Sequence, residues 1–230
     1  MLSVLVNTNL LRAAIINKCK KFFFSSSACV YNSSKQSKTF VNGLKEEDAY
    51  PADPEDGYGW EKLFSERMCR HFTEDFGLET RVVRYHNIYG PMGTFDGGRE
   101  NAPAALCRKI ILAKKNNKKE IDVWGDGEQT RSFLYIDDCI RGTLDVFNSE
   151  KIEIIEEIAD YKVKKNYQLD KPKGVRGRSS DNTFVNKEIG WKPSLTLKQG
   201  LTKTYSWIEE QINSNSNIEK FCITNIEKDN

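Results

Sequence analysis

Apolar positions set the first elements of the chain. Along residues 3–18, Leu5, Leu10, Ala13 and Ala14 recur at helical spacing and Asn17 continues the row, which predicts a helix. Residues 20–27 centre on Phe22-Phe23-Phe24 and predict a buried strand. From Asn32 to Pro54 the chain is polar and carries Pro51 and Pro54, so it reads as a loop. A helical pattern over 58–76 offers Leu63, Met68, Cys69, Phe72 and Phe76 to a core and stops at Gly77. Thr80–Tyr85 predicts the next strand. Strand, helix and strand of these lengths imply a right-handed parallel crossover and an α/β fold.

The pattern shortens beyond Tyr85. Gly90, Gly93, Gly97 and Gly98 punctuate a loop, followed by a helix from about Ala102 to Lys115. Ile121–Trp124 and Arg131–Tyr135 predict short strands joined by a Gly-Asp-Gly turn. Asp137 or Asp138 can cap a helix running to Phe147. Residues 150–159 suit an amphipathic helix, Lys162–Asn182 is basic and turn-rich, and a last helix spans about 197–213. The tail from Asn213 is Asn/Ser/Lys-rich and reads as frayed.

Composition narrows the function. The 230 residues suffice for one α/β domain, or one with a small lobe. With 35 Lys and Arg against 33 Asp and Glu, the net charge of +2 makes no case for nucleic acid as the main partner. The six cysteines form no C-x-x-C, and with two histidines there is no zinc pattern; they read as reduced cytoplasmic thiols. No apolar run reaches the roughly 18 residues of a membrane span. Residues 1–45 carry Lys and Arg but no acid before Lys45, which suits a mitochondrial presequence; the favoured reading is an internal helix leading into the Phe22 strand.

Candidate chemistry gathers at two segments. Ser25-Ser26-Ser27-Ala28-Cys29-Val30-Tyr31 follows the Phe run, at the carboxyl end of a strand. Tyr58-Gly59-Trp60-Glu61-Lys62 opens the following helix, with Tyr58 and Lys62 on one face. A hydroxyl, a thiol, a phenol and an amine thereby converge where open α/β sheets place ligands. Tyr-x-x-x-Lys alone would suit a solvated helix face equally well.

With the Ser-Ser-Ala-Cys strand end, these residues resemble the extended short-chain dehydrogenase/reductases. Within that superfamily the chain is similar to the GDP-mannose 3,5-epimerase family. The match rests on Ser26–Tyr31, His86–Pro91, Gly97–Glu100, Trp124–Phe133 and Gly174–Arg178 in order, over nearly all of residues 1–213. The resemblance implies a partial Rossmann-like parallel sheet over residues 1–90. A small α/β substrate lobe with returning Rossmann segments would occupy 91–213, and 214–230 would be a disordered tail. It implies NAD as a recycled cofactor and GDP-mannose as substrate, converted to GDP-L-galactose through a C4 ketone that acidifies C3 and C5. Tyr58 would be the base for the hydroxyl, its pKa lowered by Lys62, and both would hold the cofactor. Cys29 would be the base at carbon. The family's opposing acid is the lysine of Gly-Gly-Arg-Glu-Lys-Ala-Pro, where this sequence has Asn101. Ser27, Ala28, Cys29, Asn87, Glu100, Asn101, Ala102, Lys109, Gln129, Thr130, Arg131 and Arg176 fall on substrate positions.

The sequence contains no strand–Gly-rich turn–helix with a following acid. Against the resembled family, the first half of the NAD-binding domain is absent and a gap lies near 150–160. The expectation is a truncated copy or half of a split enzyme, impaired as a lone chain, with a homodimer or a complementing chain as its partner. The alternative is a non-catalytic nucleotide-sugar-binding remnant. Cys29 argues against a dehydratase or 4-epimerase, which use no thiol there.

Overall fold

The computed structural model describes residues 2–148, 164–168 and 176–214. In chain order these form α1 (Leu2–Ile16), β1 (Lys21–Ser27), α2 (Gly57–Phe76), β2 (Glu79–Tyr85), β3 (Asn87–Tyr89), α3 (Ala102–Lys115), β4 (Glu120–Trp124), β5 (Thr130–Arg131), β6 (Phe133–Tyr135), α4 (Ile136–Asn148), β7 (Lys164–Gln168), β8 (Gly177–Arg178), α5 (Thr183–Ile189) and α6 (Leu197–Ser214). Four strand pairs form, all parallel: β1 with β2, β3 with β6, β4 with β7 and β5 with β8. The predicted helix at 150–159 lies outside the described residues, as does the tail beyond 214.

The first unit is β1–α2–β2. Phe22 pairs with Thr80 and Ser27 with Tyr85, so the strand ends coincide. The Asp56 carboxylate caps α2 by accepting from the Gly59 N–H at 2.7 Å. Gly77 ends the helix at φ 69°, a conformation that favours glycine. Leu11 and Ala14 of α1 bury against Phe24, Cys69, Phe72 and Leu78. This differs from the face expected for α1, since Leu5 and Leu10 are exposed. The helix is apolar on most sides, so period alone does not choose its face; Asn7 donating to Ser65 Oγ at 3.1 Å turns it onto α2. Phe76, expected in the core, is 60% exposed at the last turn of α2, against the Phe72 ring.

The later elements also depart in detail. Residues 131–135, expected as one strand, split into β5 and β6, which pair with β8 and β3. The break is at buried Ser132, whose N–H bonds the Arg178 carbonyl. Neither Asp137 nor Asp138 caps α4, which already starts at Ile136. Asp138 is 1% exposed and its carboxylate accepts from Ser194 N (2.9 Å), Leu195 N (3.0 Å), Ser194 Oγ (2.6 Å) and Arg141 Nη2 (2.7 Å). The basic stretch from Lys162 contributes β7 and β8, and α5 follows it. No described helix is long and apolar enough to cross a membrane.

Candidate active site

The site is built on the carboxyl end of β1. Ser27 closes the strand, and its Oγ accepts from the Cys29 N–H at 3.2 Å, capping a single 3₁₀ turn over Ala28–Val30. That turn buries Ala28 and leaves Cys29 partly exposed. α2 starts immediately beside it. A Cβ on Gly59 would fall inside the van der Waals envelope of the Cys29 carbonyl oxygen and crowd the Pro54 ring. Glycine here is what lets the helix carrying Tyr58 and Lys62 approach the cysteine. Gly59→Ala is expected to push α2 off the strand end at a cost of about 1–3 kcal/mol, read as a lowered melting temperature.

Tyr58 is 48% exposed and stands beside the Ser27 side chain. Its phenol lies above its ordinary value: burial raises it, the Ser27 hydroxyl opposes, and the charges of Cys29 and Asp56 raise it further. This corrects the expectation of a tyrosine lowered by Lys62. The Lys62 ammonium is turned onto the Ser25 carbonyl at 2.7 Å, with the Tyr58 ring centroid 5.6 Å away. Burial lowers the Lys62 amine.

On the other side of Cys29 stands a residue that sequence reasoning did not select. Arg178, at the end of β8, is 8% exposed and directs Nη1 to the Cys29 sulfur at 3.6 Å. Its Nε donates to Gln36 Oε1 at 2.5 Å, and Nη2 faces the Glu55 carboxylate at 3.6 Å. Gln36 is fully buried, its amide donating to the carbonyls of Tyr31 (3.1 Å) and Asn32 (3.2 Å). Arg131 completes the group, its guanidinium lowered by burial and then by Arg178, with Glu55 and Cys29 opposing. His86, tilted against the Tyr31 ring at 5.7 Å, is held neutral by burial and by the Arg178 charge.

The remaining candidates lie in three groups. Asn101 is the N-cap of α3: its Oδ1 accepts from Ala104 N at 3.3 Å and its Nδ2 donates to the Ile88 carbonyl at 2.7 Å. Ala102 follows as the first residue of α3, and Asn87 of β3 donates to the Ser132 carbonyl at 2.9 Å. Glu100 pairs with Arg108 at 2.7 Å. Its carboxyl is lowered overall: burial raises it, but backbone N–H groups and Arg108 outweigh that. Lys109 donates to the Asp122 carbonyl at 2.8 Å, lining a groove of about 350 Å³ with Asn116 and Trp124. Arg176 pairs with Asp126 at 2.9 Å, Thr130 donates to the Thr39 carbonyl, and Gln129 packs on Gly125 with Nε2 buried and without a hydrogen bond among the described residues. Among the described residues no cluster of His, Cys, Asp and Glu could hold a metal ion.

The family described as NAD dependent epimerase/dehydratase matches residues 2–157, and the chain belongs to it. Within it, similarity is strong to GDP-mannose 3,5-epimerase 1 of Oryza sativa subsp. indica, 46% identical over 226 residues, and to GDP-mannose 3,5-epimerase of Arabidopsis thaliana, 44% identical. Each alignment covers 91% of this chain but only 58% and 59% of the relative, so the chain spans under two thirds of their length. Among solved structures, UDP-glucose 4-epimerase of Thermotoga maritima superposes with a TM-score of 0.75 at 24% identity, covering 90% of this chain and 69% of that one. UDP-glucuronic acid 4-epimerase of Bacillus cereus follows at 0.73 and 24%, covering 91% and 68%. These likenesses carry the Rossmann-type α/β fold expected from the sequence.

Proposed function

We propose that this chain carries the substrate-handling chemistry of a GDP-mannose 3,5-epimerase, with a nucleotide sugar as ligand and NAD as cofactor. The observation that carries the reading is Cys29. A partly exposed thiol sits in the turn after β1, between the Ser27–Tyr58–Lys62 group and a buried arginine. A base at carbon needs such a place, because a thiolate can remove a proton made acidic by a neighbouring ketone. Tyr58 would take the C4 hydroxyl proton, and Ser27 orients its phenol. Glu100, Asn87 and Asn101 would bond sugar hydroxyls; Arg131, Arg176 and Lys109 would meet the diphosphate, with Ala102, Gln129 and Thr130 beside them and buried Ala28 setting the turn that presents Cys29.

The residues at the nicotinamide-ribose end fit the dinucleotide. The Lys62 ammonium spends one proton on Ser25 and keeps two donors, and Tyr58 stands exposed beside it. When bound, NAD would accept and return the C4 hydride. The proposed division places the cofactor portion in residues 1–90 and most of the sugar portion in 91–213. The outer faces of α1 and α2 expose Leu5, Val6, Leu10, Trp60 and Phe64, surface on which a second copy or a complementing chain would pack.

A second reading, a nucleotide-sugar-binding protein without epimerase activity, is favoured by Asn101. An amide cannot release a proton at neutral pH, and this one is committed to the α3 cap and the Ile88 carbonyl. Calorimetry with GDP-mannose, with and without NAD, followed by deuterium wash-in at C3 and C5, tests both readings. Binding with exchange is expected for the epimerase, and binding without exchange would favour the second reading. Absence of binding by the folded chain would end both.

A further inference from the structure

We propose that Glu66 is a positioning residue: its carboxylate ties α2 to β1 and β2 and thereby sets where Tyr58 and Lys62 stand over the strand end. The inference deepens the proposed function and rests on the reading of Tyr58 and Lys62 as the pair at the nicotinamide-ribose end.

Tyr58, Lys62 and Glu66 follow one another at four-residue steps, so they form one row on α2. The third member of the row is bonded to both strands. Glu66 Oε1 accepts from Ser26 Oγ of β1 at 2.5 Å and from Arg84 Nε of β2 at 2.9 Å, and Oε2 accepts from Arg84 Nη2 at 2.7 Å. Ser26 and Arg84 are register partners, so the carboxylate straddles a single rung of the sheet. The Glu66 and Arg84 side chains are only 9% and 12% exposed. Arg84 carries the tie further. Its Nη1 donates to the Glu46 carbonyl at 2.6 Å, and its guanidinium lies 5.2 Å from the centre of the Tyr31 ring, at the end of the turn bearing Cys29.

An ion pair this enclosed is a poor source of stability, because desolvation offsets the attraction; its best-attested use is to fix one register. Here the register is that of α2. A slip of one residue would move the carboxylate about 1.5 Å along the helix and about 100° round it, away from both partners. Lys62 lies about 6 Å back along the same axis. There its ammonium reaches the Ser25 carbonyl at 2.7 Å and lies 4.9 Å from the centre of the Phe24 ring. Ser25 and Ser26 are neighbours on β1, so the anchor and the group it aims are held by adjacent residues of one strand.

The test is NMR of the full chain carrying carbon-13 in the lysine ε-methylene groups, with Lys62 assigned through Lys62→Arg. The Phe24 ring is expected to displace the Lys62 ε-proton signal upfield of that of exposed Lys187. Ser26→Ala removes only the β1 end of the tie and should move the Lys62 signal part of the way toward that of Lys187. Glu66→Gln turns an amide donor on Arg84 Nη2 and should bring it nearly all the way, with Lys187 unchanged in both. A tie that only added stability would lower the melting temperature on mutation and leave the Lys62 signal in place. Because Glu66→Gln leaves the Arg84 charge buried and can unfold the chain, Ser26→Ala is the independent arm. A Lys62 signal that coincides with Lys187 in the unmutated chain, or that stays put in Ser26→Ala or in folded Glu66→Gln, overturns the proposal. These readouts need neither sugar nor cofactor. Failure of sugar binding alongside the expected lysine shifts would remove the epimerase reading and leave the Glu66 tie standing.

Discussion

Asn101→Lys, supplied with NAD and GDP-mannose, is expected to raise hydrogen exchange at the inverted sugar carbons by about 10²–10⁴-fold, the usual worth of a positioned general acid. Inversion needs a proton removed on one face and delivered on the other. In the proposed reading Cys29 makes the removal. At Asn101, the side chain contributes an amide that bonds the Ile88 carbonyl and caps α3. Lysine would bring an ammonium to the same helix entrance and lose the cap. The variant should therefore be faster and less stable, by about 1 kcal/mol for the lost N-cap, or about 2–4 °C in melting temperature. Deuterium incorporation followed by NMR measures the first effect and a thermal melt the second. A destabilised variant with no gain in exchange would mean that the returning proton comes from another group.

Asp138→Ala is expected to cost about 2–3 kcal/mol, the scale for losing the hydrogen bonds of one buried carboxylate. The carboxylate joins α4 to the segment entering α6 through two backbone N–H groups, the Ser194 hydroxyl and Arg141. Alanine takes the acceptor away from both N–H groups, on the partly exposed segment that enters α6. The effect carries a pH signature. Burial raises the Asp138 carboxyl, but its bonds to Ser194, Arg141 and Leu195 outweigh that, so it lies below its ordinary 3.8. A carboxyl depressed on folding stabilises above its unfolded value and loses that contribution as pH falls through the folded value. The gap between wild type and variant in denaturant melts should be full at pH 6 and shrink below about pH 3.8. A gap that is small, or flat with pH, would mean that the carboxylate is not the tie.

How much of this was legible in the sequence depended on distance along the chain. α2 and α3 were readable nearly to the residue, because Asp56, Gly77 and Pro103 mark their ends locally. Cys29, Tyr58 and Lys62 were readable together because they sit on consecutive elements. α5 was not seen: it has seven residues and no side-chain cap. β5, β7 and β8 are short and largely polar, and become strands only through partners supplied far away. The Tyr58 ionisation was misjudged because spacing puts Lys62 nearby but does not show its ammonium turned to Ser25. Arg178 was passed over for Arg176 in the same motif; 142 residues separate it from Gln36. Gly177 was the available signal, since a Cβ there would strike the Lys38 carbonyl, and glycine inside a strand often marks such an approach.

The clasp between residues 36–44 and 176–181 also sets an order of assembly. Arg176 N bonds the Gln36 carbonyl, Leu44 N bonds the Ser179 carbonyl, and Asp181 N returns to Leu44. β1, α2 and β2 lie within 65 positions of each other and can pair as soon as that stretch leaves the ribosome. The turn bearing Cys29 has no such independence, since the loop behind it is pinned by residues made more than 130 positions later. Closing a contact of that span carries its entropic cost before any reward. The turn carrying Cys29 is thus finished last, after the scaffold that presents it, and stays without Arg178 throughout synthesis of the intervening chain.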